Sequence, residues 1–270
     1  MWVQRLLVVL SVVKVVIEVN RSYVLDVTSY DTLMNKEIRQ VTSQDSEYFP
    51  RLRGVTGAPS SLWVRGAGID ASALHVAGIG SRRVHAEALV AVEKFFTDLI
   101  AVWSECHTQP LVLISGLALG VDAQVHRIAL EHDVPTTGVL FTPINRMYPP
   151  ENLGIARQIL EQNTLGNAIV SEHAPVGDDV VVEKDSEAPK QRNRITVWSS
   201  DMVIVSGVYN TQSGTRNAVR QAHEQGRPVF LLPKTITPPV RSVFVGQYGA
   251  RVVTSAREML DLVQSSNDRP

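Results

Sequence analysis

From residue 73 onward, short runs of apolar residues alternate with longer stretches in which apolar positions recur every three or four residues. ALHVAGIG (73–80) is a strand pattern that breaks into a tight turn, and HAEALVAVEKFFTDLIAVWSE (85–105) carries helical spacing. The alternation then repeats. PLVLISG (110–116) precedes VDAQVHRIALEHD (121–133), PTTGVLF (135–141) precedes ENLGIARQILEQN (151–163), and NAIVSEHAP (167–175) precedes a helix start in KQRNRITVWSS (190–200). DMVIVSG (201–207), GTRNAVRQAHEQG (214–226), RPVFLLP (227–233), ARVVTS (250–255) and AREMLDLVQSS (256–266) continue it to the end. Strands this short and apolar, separated by helices, predict a mostly parallel sheet covered on both faces, because each parallel connection must cross over a face. The expected fold class is α/β, a doubly wound, Rossmann-like sheet of about six or seven strands.

The first part of the chain reads differently. Residues 1–45 are expected to form an N-terminal extension, with one or two strands in the β-branched run Val12–Val19 and a short helix around Thr32–Arg39. Residues 46–266 are expected to form the Rossmann-like domain, beginning with an extended lead-in, SEYFPRLRGVTGAPSSLWVRG (46–66). The apolar N-terminus is interrupted by Arg5, Lys14 and Glu18, whereas a membrane span needs about 20 apolar residues with few charges, so no membrane association is expected. The acidic stretch VGDDVVVEKDSEAPK (176–190) lacks a clear period and reads as a mobile surface loop.

Composition narrows the chemistry. A chain of 270 residues, 44% of them hydrophobic, can bury a substantial core. The net charge of −1 argues against an overall electrostatic footprint for nucleic acid or anionic lipid and leaves room for a local basic patch. Cys106 is the only cysteine, so no intrachain disulfide forms, and a reducing, cytoplasmic location is expected. The seven histidines show no metal-ligand spacing.

In sheets of this kind ligands sit outside the carboxyl ends of the strands. Here those ends are GIGSRR (78–83), ISGLALG (114–120), VLFTPINRMYPPEN (139–152), VSEHAP (170–175) and VSGVYNTQSGTRNA (205–218). Small residues there expose backbone N–H groups, and the helix that follows adds its positive end, so anions are favoured. Ser115, Gly116 and Gly120 are expected to form a phosphate-sized seat, with Asp122 either capping its helix or binding a ribose or base. Arg82, Arg83, Arg192 and Arg194 add positive charge. Arg192 and Arg194 do not share a helix face, so one can bind ligand while the other holds the fold. GIGSRR lacks the third glycine of a dinucleotide fingerprint, and neither a phosphate-binding P-loop nor a nucleophile elbow is present.

In their shared order, VAGIGSRR, SGLALGVDAQVHRIAL, YPPENLGIARQIL, VSEHAP, QRNRITVWSSDMVIVSG and SGTRNAVRQAHEQGRPVFLLP resemble the DprA/Smf family of DNA-processing proteins, within a wider group that includes LOG-type nucleotide-binding domains. The resemblance covers about residues 46–234. It implies binding of single-stranded DNA in a positive pocket at the strand ends, loading of a RecA-type recombinase during transformation, a homodimer, and no catalytic residues, cofactor or metal. The site residues it implies are Gly80, Ser81 and Arg82; Ser115, Gly116, Ala118, Gly120 and Asp122; Arg192, Asn193 and Arg194; and Ser213, Gly214 and Thr215. The chain departs from the family pattern in three places. FTPINRMYP, with Asn145 and Arg146, replaces a glycine-rich loop; APKQ replaces the Phe-Pro before the Arg-Asn-Arg; and SGTRNAV replaces SGSLITA. A full winged-helix domain after the core is not expected.

Two further functions stay open. The same pocket suits a sensor of a nucleotide-derived small molecule. A LOG-like nucleoside monophosphate hydrolase would carry PGGxGTxxE where this chain has TQSGTRNAV. Tyr148, Trp198 and Tyr209 are candidate stacking partners for bases, with packing as the alternative role.

Overall fold

The computed structural model describes residues 28–29, 37–177, 180, 182 and 187–267. Two short strands, β1 (Thr28–Ser29) and β7 (Arg146–Met147), pair antiparallel in a separate ribbon. The other nine form one sheet: β2 (Ile38–Thr42), β3 (Ser61–Gly66), β4 (Leu74–Gly80), β5 (Leu111–Ser115), β6 (Thr136–Leu140), β8 (Ala168–Ser171), β9 (Met202–Ser206), β10 (Val229–Leu231) and β11 (Arg251–Val252). Their order across the sheet is β11-β10-β9-β4-β5-β6-β8-β3-β2. From β11 to β8 every pairing is parallel, and β3 and β2 add to the β8 edge antiparallel. The doubly wound α/β fold follows from the strand composition: β5, β6, β8 and β9 are buried at every position, as strands covered on both faces must be.

Among the described residues seven α-helices cover the faces: α1 (Ala86–Cys106), α2 (Val121–Glu131), α3 (Leu153–Glu161), α4 (Ala188–Trp198), α5 (Gly214–Glu224), α6 (Pro238–Tyr248) and α7 (Ala256–Asn267). Alternate strand residues face opposite layers. Val76, Leu113, Ile204 and Phe230 pack with Phe96 and Leu99 of α1, Val125 and Ile128 of α2, and Met259 of α7. Their neighbours Ala77, Ile114, Val205 and Leu231 pack with Ile195 of α4, Val219 of α5 and Phe244 of α6. Ile155 and Ile159 of α3 close a third cluster beside α2.

The sheet is wider than the expected six or seven strands because the lead-in is not merely extended. Leu62 and Val64 of β3 face the core, and Trp63 to Gly66 pair with β8. Tyr48, Phe49 and Leu52 are buried with them. Strand β2 lies in the stretch expected as extension, and Arg39, expected at the end of a helix, pairs with Val64 as part of a strand. Ile38 of that expected helix is likewise in β2, whereas its residues 32–36, and the run Val12–Val19, lie outside the described residues. Helix α6 was not expected: its first two residues are Pro238 and Pro239, which punctuate a sequence yet fit the first turn of a helix, where no N–H partner is needed. Among the described residues no helix is long and apolar enough to cross a membrane.

Strands β4, β5, β6 and β8 step one way from the middle of the sheet, and β9, β10 and β11 step the other. The chain leaves β4 for α1 on one face and β9 for α5 on the opposite face. Neighbouring loops that part in this way leave a crevice at the carboxyl ends of β4 and β9, the topological switch point of the sheet.

Candidate nucleic-acid interface

A recess of about 620 Å³ fills that crevice. It is lined from the β4 loop by Gly80, Ser81, Arg82 and Arg83, from the β5 loop by Gly116, Ala118 and Asp122, and from β6 and its loop by Phe141 and Tyr148. Helix α4 contributes Pro189, Lys190, Arg192, Asn193 and Thr196. The β9–α5 connection contributes Tyr209, Asn210, Ser213, Gly214 and Thr215. Eleven of the fourteen expected site residues therefore meet in one place; Ser115, Gly120 and Arg194 do not line it.

The glycines expected to form an open phosphate seat are occupied by other parts of the protein. A Cβ on Gly80 would run into the carbonyl of Ser206 and the side chain of Val121. Gly116 lies under the Arg192 guanidinium, which a Cβ would displace. Gly120 has φ +76° and lies against the backbone of Ser81 and Arg82, where its missing side chain lets two loops cross. Ser115 is fully buried and donates its hydroxyl to the Gly78 carbonyl at 2.7 Å, stitching β5 to β4. Of the four expected site glycines, only Gly214 has open space, with nothing within 4 Å of a would-be Cβ.

The charged residues divide by burial. Arg82, Arg83 and Lys190 are exposed at the rim. Arg192 is 3% exposed and donates from Nη1 to the carbonyls of both Gly116 and Val139. Its guanidinium stands 5.9 Å from the centre of the Phe141 ring, which meets Tyr148 edge-on at 5.5 Å. Burial pulls the Arg192 pKa down to about 10, and the charge of Asp122 opposes that fall. Asp122, in the first turn of α2, accepts from the Gly116 N–H at 3.2 Å, so it braces the β5 loop. Burial pushes its carboxyl up, opposed chiefly by Arg192. Beneath them His126 takes a hydrogen bond with Thr136 at 2.7 Å, and burial, aided by the charge of Arg192, holds its pKa at about 3.

Arg194 lies outside that lining. It points away from the recess, where Nη1 and Nη2 donate to Glu172 at 2.8 and 2.7 Å and Nε donates to Gly57 at 3.1 Å. It fastens α4 to the β8 end and to the lead-in. The Arg194 hydrogen bonds hold the Glu172 carboxyl below its ordinary value of 4.5 against partial burial. A depressed carboxylate stabilises the fold fully above that ordinary value and loses its contribution as pH falls through the folded-state pKa. Arg194→Gln should therefore melt lower at neutral pH, with the difference from the parent shrinking as the pH falls below 4.5. A pH-independent difference in a thermal melt would mean that the ion pair is not its source.

Asn193 lines the recess and donates to the Gly214 carbonyl at 3.4 Å, linking α4 to α5. Ser213 caps α5 by accepting the Arg216 N–H at 3.3 Å. Of the candidate stacking residues, Tyr148 and Tyr209 line the recess. The Tyr209 hydroxyl accepts the His85 N–H at 3.0 Å, which fixes its ring beside the rim. Trp198 packs instead, donating to the Gln221 carbonyl at 3.0 Å. Phe141, Thr196, Asn210 and Lys190 were not anticipated. Phe141 ends an apolar run and reads as core, whereas Lys190 opens the KQRNR run and could have been found from it. Asn145 and Arg146 stand outside the lining and hold Val176 and Gly177 through backbone carbonyls at 2.7 and 2.6 Å. Among the described residues no group of three or more His, Cys, Asp or Glu side chains is placed to hold a metal.

The recess thus combines four cations, aromatic walls, a helix N-terminus and one carboxylate already engaged by a backbone amide. Such a set can hold phosphates and unstacked bases together.

Known proteins carry the same chain pattern. Protein Smf of Escherichia coli is 31% identical over 226 residues, covering 82% of this chain and 55% of its own length. The DNA processing protein DprA of Streptococcus pneumoniae is 28% identical over 85% of this chain and 77% of its own. The solved structure of that pneumococcal protein superposes with a TM-score of 0.68 at 26% identity, covering 83% of this chain and 74% of the other. The structure of DNA processing protein A from Helicobacter pylori, described for its single-stranded DNA binding mode, shares the fold at a TM-score of 0.64 and 20% identity, over 86% and 98% of the two chains. The chain spans about half the length of the Escherichia coli relative. The family model for DNA recombination-mediator protein A matches residues 39–264, from the edge strand β2 into α7, and the chain belongs to that family.

Proposed function

We propose that this protein binds single-stranded DNA in the β4/β9 crevice, with phosphates at Arg82, Arg83 and Lys190 and unstacked bases against Tyr148 and Tyr209. The observation that carries the reading is the gathering of three rim cations around a recess with aromatic walls at the topological switch point. Family membership supports a mediator role in recombination; a RecA-type recombinase and a second copy of the chain are the proposed partners. The Helicobacter pylori relative, described as a single-strand binder, supports the choice of ligand. No catalytic step is part of this proposal.

The test is fluorescence anisotropy with a labelled oligo-dT series at two salt concentrations, with AMP and ADP-ribose as competitors. Affinity should climb with strand length and fall with salt, because each phosphate neutralised releases counterions. Saturable binding of a small nucleotide with no strand binding would overturn the reading. Arg82→Ala should weaken binding to every sequence tested by about fivefold and flatten the salt dependence, as loss of one phosphate contact does. Unchanged affinity in the folded variant would place the strand elsewhere.

A further inference from the structure

A notch of about 30 Å³ adjoins the crevice between the β5 and β6 loops. The side chains that line it are Ala118, Leu119, Phe141, Pro149, Tyr148 and Arg82, and Leu119 and Pro149 belong to the notch alone. We propose that this notch takes the C5-methyl group of a thymine whose base lies against Tyr148, so that the protein prefers thymine-bearing strands to those carrying uracil or cytosine. This rests on the crevice being the strand site and goes beyond it by naming the base that the site selects.

Size, polarity and placement agree. A water-sized group needs roughly 10–15 Å³ of such space, so the notch has room for one methyl and not for a ring. Apart from the Arg82 guanidinium and the Tyr148 hydroxyl, its side chains carry no polar atom. The β5 loop adds little polarity of its own. Its carbonyls are already engaged: Gly116 accepts from Arg192, and Leu117 and Ala118 accept from the Asn152 side-chain amide at 2.8 and 2.9 Å. Water in such a place has few partners, and an apolar group that displaces it gains affinity. The loop is also held in shape. Leu117 is fully buried at φ +54°, an uncommon conformation for a leucine, and two residues on Leu119 is 37% exposed. Opposite it, Phe141 meets Tyr148 edge-on at 5.5 Å, so a base laid on Tyr148 brings an edge to that corner while Arg82 holds a phosphate. Thymine alone among the common bases carries a methyl group on its edge, and apolar contact with that methyl is a known means of reading it. Uracil lacks the group, so the same notch favours DNA over RNA.

The experiment displaces a labelled oligo-dT from the full chain with unlabelled deoxyribose strands of equal length: oligo-dT, oligo-dU, oligo-dC and oligo-5-methyl-dC. The members of each pair differ by one methyl per base. Oligo-dT should compete about fivefold to tenfold better than oligo-dU, the increment of one methyl in an apolar pocket, and 5-methylation should improve oligo-dC by a similar factor. A preference in neither pair, or in only one, overturns the notch while leaving strand binding intact. Leu119→Ala, at a partly exposed position, should keep the parent melting temperature and bring the dT-to-dU ratio to about one. A retained ratio means that the methyl acts through stacking elsewhere, and it overturns the assignment. If the labelled strand does not bind at all, the strand reading fails, and calorimetry with dTMP and dUMP decides this proposal alone: tighter binding of dTMP keeps it, and equal or absent binding overturns it.

Discussion

Arg192→Leu should lower stability by about 3–5 kcal/mol, the cost of breaking a buried charge network from one side, and should abolish strand binding. The reason lies in what the guanidinium fills. It covers the backbone of Gly116, satisfies the carbonyls of Gly116 and Val139, and lies beside Phe141, which in turn meets Tyr148. Leucine leaves both carbonyls without that donor and leaves the Asp122 carboxyl buried without the charge that holds its pKa down. A fall of this size corresponds to about 10 °C in melting temperature for a domain of this length. Differential scanning fluorimetry reads the first effect and anisotropy the second. Lost binding at an unchanged melting temperature would make Arg192 a direct ligand contact and contradict its structural role. Arg194→Gln provides the contrast: it removes a cation from the same short motif, yet should leave strand affinity at the parent value.

Gly120→Ala should cost about 2–4 kcal/mol, combining a backbone conformation that residues with a Cβ avoid with a forced shift of close-packed chain. The residue has φ +76° and ψ −123°, and its Cβ would collide with the carbonyl of Ser81 and the backbone of Arg82. The displaced segment carries two of the rim cations, so binding should weaken with stability. Gly214→Ala, one strand end away, meets nothing within 4 Å and should change stability by less than about 0.5 kcal/mol. Urea melts of the two variants side by side check the pair; equal effects would mean that loop crossing is not what Gly120 serves.

Both expectations turn on features that were only partly legible in the amino-acid order. The strands and helices from residue 73 onward were readable because each is set by local periodicity: LVLIS is apolar throughout, and VDAQVHRIALE repeats at helical spacing. β2 was missed because a strand paired on an edge buries few of its side chains, here only Val41. Lys190 was visible in the KQRNR run, whereas Phe141 was not, since a phenylalanine ending a strand reads the same whether it faces core or crevice.

The sequence by itself determined the class of the fold and which kinds of residue stand at its strand ends, because apolar runs, helical spacing and small residues after strands act within a few residues of one another. Only the tertiary structure decided which arginine serves the crevice and which fastens the fold. Arg192 reaches a carbonyl 76 residues back and Arg194 one 137 residues back, although they are separated by a single residue on α4. It also decided that Gly116 and Gly120 are filled by a guanidinium and a crossing loop while Gly214 stays open. Space at a strand end is determined by what distant segments bring to it, and no local pattern carries that information.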